Sequence, residues 1–250
     1  MAEDALKQVR SRRARSDLFW SVVEHARTWL GDDGPIRRVI EVGAGRLDGQ
    51  ILRRIAVAYN VSRGVTKGEN GADIHADGLA RLINEASPWP STLVERAHRC
   101  LELAASAQAA GHTKKVQASA LTKFSWFAEP GQWTVYDRFV SRSMDVVDQR
   151  TESRVVSFYE ALERRGFPAL AAEIQDRLDE WSVLPLFGTR VLDKLMMLSG
   201  ARRSEVAWAE NSVAAARSFL EVLPAEWSRP IEQIAGYVEA SVQVGGFLRR

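Results

Sequence analysis

The chain has 250 residues, with 34 Lys and Arg against 32 Asp and Glu for a formal charge of +2; 46% of its residues are hydrophobic and 26% charged. These proportions are those of a soluble globular protein and exclude a disordered or collagen-like chain, while near-neutrality excludes nucleic-acid binding by bulk charge and leaves only local basic patches. A single cysteine, Cys100, excludes an internal disulfide and, with only four histidines, a cysteine-rich zinc site. The first residues are acidic and carry no apolar segment, so no signal peptide is expected there. No stretch approaches the roughly 18 uncharged apolar residues of a membrane span. The expectation is a cytoplasmic protein with no membrane partner.

Most of the sequence carries a helical period. Leu6–Leu30 is amphipathic, with Phe19, Val22, Val23, Ala26 and Leu30 on one stripe, and Gly31 to Pro35 ends it. Ile36–Gly45 is strand-like and the only such run, and a helix is predicted over Asp48–Tyr59. Val61–Gly71 reads as a loop, and a short helix fits His75–Ala86 before Ser87-Pro88-Trp89-Pro90 breaks it. Thr92 and Glu95 form a capping box that opens a helix running to Gly111. Further helices are predicted over Lys115–Ala128, Arg138–Gln149, Glu152–Gly166, Pro168–Trp181, Phe187–Ser199, Ser204–Leu223 and Ala225–Val244. Alternating strand and helix units are missing after residue 60, so the fold class is all-α: a multi-helix array with at most a short strand pair near the N-terminus. The expected organisation is an N-terminal helical region over 1–90 and a helical core over 91–250.

Val39-Ile40-Glu41-Val42-Gly43-Ala44-Gly45 looks like the first motif of S-adenosylmethionine-dependent methyltransferases, in which a strand ends in an acid and glycines. A third glycine is expected where Leu47 stands, and the second strand that such a site needs is absent from Arg63–Gly71. The same residues suit a tight turn leaving a short strand or helix.

The segment Ala118–Val140 is the most informative. On a helix, Lys123 has Ala120 behind it and Trp126 and Phe127 ahead, which places its ammonium on an apolar, aromatic stripe. Partial burial disfavours the charged form of an amine, the route by which a lysine becomes a nucleophile near neutral pH. The alternative is a lysine lying over apolar surface with its head in water. Asp137, fourteen positions on, is expected to cap the next helix, with an oxygen left to face a developing cation, and to share a cleft with Lys123.

A lysine on an aromatic-rich helix, followed by a turn and Tyr136-Asp137-Arg138-Phe139-Val140, resembles the lysine and aspartate pair of 8-oxoguanine-type DNA glycosylases of the helix-hairpin-helix superfamily. Within it, the pattern is most similar to compact, divergent members, among them bacterial ones linked to defence against phages with modified DNA. Phe187-Gly188-Thr189-Arg190-Val191-Leu192-Asp193-Lys194-Leu195 resembles a second block of these proteins. In place of the glycine-rich hairpin that normally precedes the lysine stands Gly111-His112-Thr113-Lys114-Lys115. The resemblance implies a helical glycosylase fold and a DNA N-glycosylase. Lys123 would attack C1′ of the sugar, Asp137 would assist, strand scission could follow, and double-stranded DNA would be the partner. By the same resemblance the target base would be an oxidised purine or a bulky modified phage pyrimidine such as glucosylated hydroxymethylcytosine. No cofactor or metal is called for. The base must leave the stack, so an aromatic pocket is needed, and Trp126, Trp133 and Tyr136 are its candidates, though each also suits the core.

Lys114 and Lys115 are placed in the first turn of the Lys123 helix, where a phosphate would offset their conflict with the helix dipole. Arg138 and Arg142 share a helical face suited to a DNA backbone, and Lys7, Arg10, Arg12, Arg13 and Arg15 form a basic run without an acid inside it. Arg190, Asp193 and Lys194 either form an internal ion-pair group or bring Arg190 and Lys194 to the DNA. Two other readings remain: a nucleic-acid-binding helical module without chemistry, and a methyltransferase using Gly43 and Gly45.

Overall fold

A computed structural model describes residues 2–68, 73–131, 133–146, 151–181, 184–204 and 206–248, with side chains at all of these except 2–12 and 151. Among the described residues the fold is all-α, and the only extended pairing is one antiparallel bridge between Val65 and Thr113. The helices are α1 (Ala2–Thr28), α2 (Gly34–Val42), α3 (Gly49–Ala58), α4 (Ile74–Glu85), α5 (Leu93–Ala109) and α6 (Ala118–Ala128). They continue with α7 (Arg138–Ser143), α8 (Thr151–Arg164), α9 (Phe167–Asp179), α10 (Gly188–Arg203), α11 (Trp208–Val222) and α12 (Ala225–Ser241). No helix of the described residues is long and apolar enough to cross a membrane.

Three sequence expectations are corrected. Ile36–Gly45 is not a strand but α2, which Pro35 opens, since its fixed backbone angle and missing N–H suit a first helical turn. Ile36 and Ile40, four apart, are buried on one face, while Val39 and Val42 point to solvent, Val42 being 85% exposed. Gly43 and Gly45 end this helix: the Gly43 N–H donates to the Val39 carbonyl and the Gly45 N–H to that of Ile40, with Ala44 and Gly45 both left-handed. The glycine motif is therefore a helix C-terminus, and a methyltransferase cofactor site has neither its strand nor its sheet among the described residues. Second, α6 starts at Ala118, so Lys114 and Lys115 lie in the loop before it and not in its first turn. Third, α7 is shorter than expected. It stops at Ser143, where Asp145 turns left-handed and the Val146 N–H reaches back to the Ser141 carbonyl. Gln149, the predicted end of that helix, and part of the Val61–Gly71 loop lie outside the described residues.

The chain forms two compact units that interleave in sequence. The first comprises Met1–Trp29, Asp137–Val147 and Ala161–Arg250. Its centre is α10, buried along most of its length and packed by α1, α7, α9 and α11. Two glycines let neighbours approach: a Cβ on Gly200 would lie 1.8 Å from the Phe139 carbonyl oxygen, and one on Gly188 would lie 2.2 Å from that of Ala171. Phe139, Leu198, Ala201 and Ala209 form a core cluster, with Trp208 stacked on Phe139 at 5.7 Å.

The second unit comprises Leu30–Tyr136 and Asp148–Glu160. Here α3 packs on α2, α4 and α6, and α5 on α4 and α6. Side-chain caps fix the starts of α3, α4 and α5: Asp48 accepts from the Ile51 N–H, Asp73 from that of Ala76, and Thr92 from that of Glu95, as the capping box predicts. Arg53 ties the 65–66 loop to α4 by bonding Asp73 and the Thr66 carbonyl. Trp89, Trp133 and Tyr159 form a stack, and the buried Arg96 guanidinium lies over Trp133 and pairs with Glu129 at 2.6 Å.

Candidate functional site

α6 is apolar almost all round, and Ala118 and residues 120 to 127 are buried, so its polar side chains must find partners inside the unit. Ser125 donates back to the Leu121 carbonyl at 2.7 Å, and Ser119, Thr122 and Lys123 converge on one residue of the extended segment that follows. The Thr122 hydroxyl accepts from the Tyr136 N–H at 3.0 Å and donates to the Ser119 carbonyl at 2.9 Å. The Ser119 hydroxyl donates to the Tyr136 carbonyl at 3.1 Å. Lys123, 5% exposed, donates from Nζ to that same carbonyl at 2.8 Å, to Ser119 Oγ at 2.9 Å and to the Ser119 carbonyl at 3.3 Å. These oxygens suit the N–H donors of an ammonium. Both polar groups of the Tyr136 backbone are clamped by α6 side chains spaced i, i+3 and i+4.

The predicted site residues fall into both units. Lys114, Lys115, Lys123, Trp126, Trp133 and Tyr136 belong to the second, and Asp137, Arg138, Arg142, Arg190 and Lys194 to the first. Lys123 and Tyr136 are in direct contact. Asp137, the next residue in the chain, is half-buried and caps α7 by accepting from the Phe139 N–H at 2.9 Å, as expected. Trp126, Trp133 and Tyr136 are core side chains: Trp126 meets Phe127 edge-on at 5.0 Å, Trp133 stacks on Tyr159 at 5.6 Å, and Tyr136 meets Phe158 at 5.5 Å. Their rings are already packed, so the expectation that they line an open base pocket is corrected to a packing role.

The basic residues divide by burial. Lys114, Lys115, Arg138 and Arg142 are exposed, as are Arg13 and Arg15; the side chains of Lys7, Arg10 and Arg12 lie outside the described ones. Arg142 also bonds Ser204 Oγ at 2.6 Å. Arg190 and Lys194 are buried, and Arg190 pairs with Asp193 at 2.5 Å, both side chains at most 1% exposed. A phosphate cannot reach them there. Their place among DNA contacts is therefore corrected in favour of the internal ion-pair group. That group sits beside His25, whose Nε2 accepts from the Phe187 N–H at 3.0 Å. Burial holds the His25 imidazole well below the usual histidine range, and the Arg190 and Lys194 charges reinforce this.

Sequence reasoning missed Ser119 and Thr122. Their signal was present: a serine four residues before a lysine shares its face, and a threonine beside it faces the adjoining groove. An open concavity of about 390 Å³ in the second unit is lined by Ile36, Arg53, Arg54 and Val57 among others, and by none of the predicted site residues. No protein-family model, no curated protein and no solved structure matches the chain.

Proposed function

We propose that the protein is a DNA glycosylase that excises a modified base, with Lys123 as nucleophile and Asp137 assisting. The observation that carries this reading is the Lys123 amine, buried and held by oxygens at 2.8, 2.9 and 3.3 Å, one of them the carbonyl of the residue directly before Asp137. A lysine so held has lost the freedom of a solvated side chain, and orientation of this kind accounts for much of the rate advantage of an enzyme nucleophile. In the proposed reaction the Nζ lone pair forms a bond to C1′ as the C1′–N bond breaks. The base leaves with the bonding pair and takes up a proton, and the amine gives one up, with the Asp137 carboxylate stabilising the positive charge on the sugar. The C1′–O4′ bond of the aminal so formed then breaks, with O4′ taking up a proton, to give a Schiff base on the opened sugar. Water hydrolyses this C=N bond and returns the free lysine, leaving an abasic site. The substrate is duplex DNA with a bulky modified pyrimidine of the phage type or an oxidised purine, and Lys114, Lys115, Arg138 and Arg142 are the exposed cations available to its phosphates.

A second reading, a helical nucleic-acid-binding module without chemistry, is favoured by the packing of Trp126, Trp133 and Tyr136 and by the fit of three acceptors to a charged, structural ammonium. One experiment separates the two. The protein is incubated with duplexes carrying glucosylated 5-hydroxymethylcytosine or 8-oxoguanine, and released bases are identified by mass spectrometry. Glycosylase activity gives free base, borohydride trapping at Lys123, and loss of both with Lys123→Ala and of release with Asp137→Asn. Salt-sensitive DNA binding without any free base supports the module. Lys123→Ala that still releases base removes the lysine from the reaction.

A further inference from the structure

The hydroxyl of Ser119 has one proton, and its direction is fixed. Ser119 Oγ donates to the Tyr136 carbonyl at 3.1 Å, so toward Lys123 Nζ, 2.9 Å away, it presents a lone pair. The Tyr136 carbonyl accepts from both Ser119 and Lys123, which closes a triangle of three hydrogen bonds. Because its only proton is committed to a carbonyl that cannot pass it on, Ser119 is not a base or a relay. It is an oriented acceptor one helical turn behind the amine.

Losing a proton leaves an amine with two N–H groups. The two short contacts, to Ser119 Oγ and the Tyr136 carbonyl, suffice to hold both, and the long contact of 3.3 Å to the Ser119 carbonyl is the one that can be given up. One of the two retained acceptors is backbone and present whatever the sequence. The other is a side chain, the hydroxyl at position 119.

We propose that Ser119 is the positioning residue of Lys123, holding the amine on its reacting line through the Nζ to Oγ hydrogen bond. This rests on the glycosylase reading of Lys123. The test compares Ser119→Ala and Ser119→Thr with the unaltered protein on whichever of the two duplexes above it acts on. Single-turnover base release at saturating DNA, DNA affinity and melting temperature are measured for each.

A displaced nucleophile costs chemistry and not binding, so Ser119→Ala should release base about 10- to 100-fold more slowly, with DNA affinity changed by no more than about two-fold. Ser119→Thr, which keeps the hydroxyl, should recover the rate to within about five-fold even if its melting temperature is no higher than that of the alanine variant. An alanine variant as fast as the unaltered protein overturns the proposal and leaves the glycosylase reading standing. So does a threonine variant no faster than alanine, because the loss then follows stability and not the hydroxyl. If the unaltered protein releases no base from either duplex, the glycosylase reading fails and the role of Ser119 fails with it.

Discussion

Arg190 and Asp193 face each other at 2.5 Å on one side of α10 in the interior of the first unit. Each is costly to bury alone, and removing one takes from the other its 2.5 Å partner in a medium that solvates charge poorly. Asp193→Ala should therefore destabilise the protein by about 3 kcal/mol or more, measured by urea unfolding, whereas Arg138→Ala on the exposed face of α7 should shift it by less than about 0.5 kcal/mol. A loss at Asp193 no larger than at Arg138 would show that the pair is not what neutralises α10. The sequence made this group visible as three charges at i, i+3 and i+4, but not on which side of the surface it lay, because charge spacing on a helix is the same for a solvated face and a buried one. Lys123 differs. Its neighbours Ala120, Trp126 and Phe127 are apolar, so its place on an apolar stripe was legible. The same stripe suits a lysine with its head in water, so its burial was not. Nor were the acceptors that hold it, since one comes from a segment thirteen residues on and depends on the turn between.

At the scale of elements, two expected breaks fail: a π-turn over Trp29–Asp33 carries α1 into α2, and α10 runs through Gly200. Helix existence itself was legible nearly throughout from the apolar period and the capping box at Thr92. The exception is α2. Its run of valines and isoleucines carries strand propensity, and the burial of Ile36 and Ile40, four apart, outweighs it once Pro35 has set the first turn. Equally hidden was the demand that packing places on α10. Its Gly200 stands mid-helix, where glycine is worth about 1 kcal/mol less than alanine, and the gain is the approach of α7. The atom a Cβ would meet at 1.8 Å is the backbone oxygen of Phe139, which cannot rotate away as a side chain would. Gly200→Ala is expected to lower stability by about 3 kcal/mol despite its better helix propensity, while Gly236→Ala in α12, with nothing within 4 Å, should be neutral or stabilising by up to about 1 kcal/mol. Thermal melts of the two variants check the contrast, and the same sign for both would refute it.

Across the whole molecule, each unit holds one histidine below its ordinary range, His25 being buried and His112 half-buried. In the first, burial and the Arg190 and Lys194 charges hold His25 down; in the second, partial burial, His75 with its ring 5.9 Å away, and Arg81 lower His112. Both values lie below the ordinary one of 6.5, so the unfolded chain takes up protons before the folded one does. The stability that the neutral imidazoles contribute is therefore present above about pH 6.5 and is lost as pH falls from there through their folded-state values, with a limiting slope of about 1.4 kcal/mol per pH unit for each proton taken up. Asp17 works in the opposite sense, since burial raises its carboxyl from the usual 3.8 while Arg202 holds it down. The urea midpoint should accordingly fall between pH 7.5 and 5. Tryptophan fluorescence can follow both units, because Trp20, Trp29, Trp181, Trp208 and Trp227 lie in the first and Trp89, Trp126 and Trp133 in the second. His112→Gln should flatten the slope without removing it, since His25 remains. A midpoint that holds steady or rises on acidification over this range would mean that neither imidazole is kept neutral by the fold.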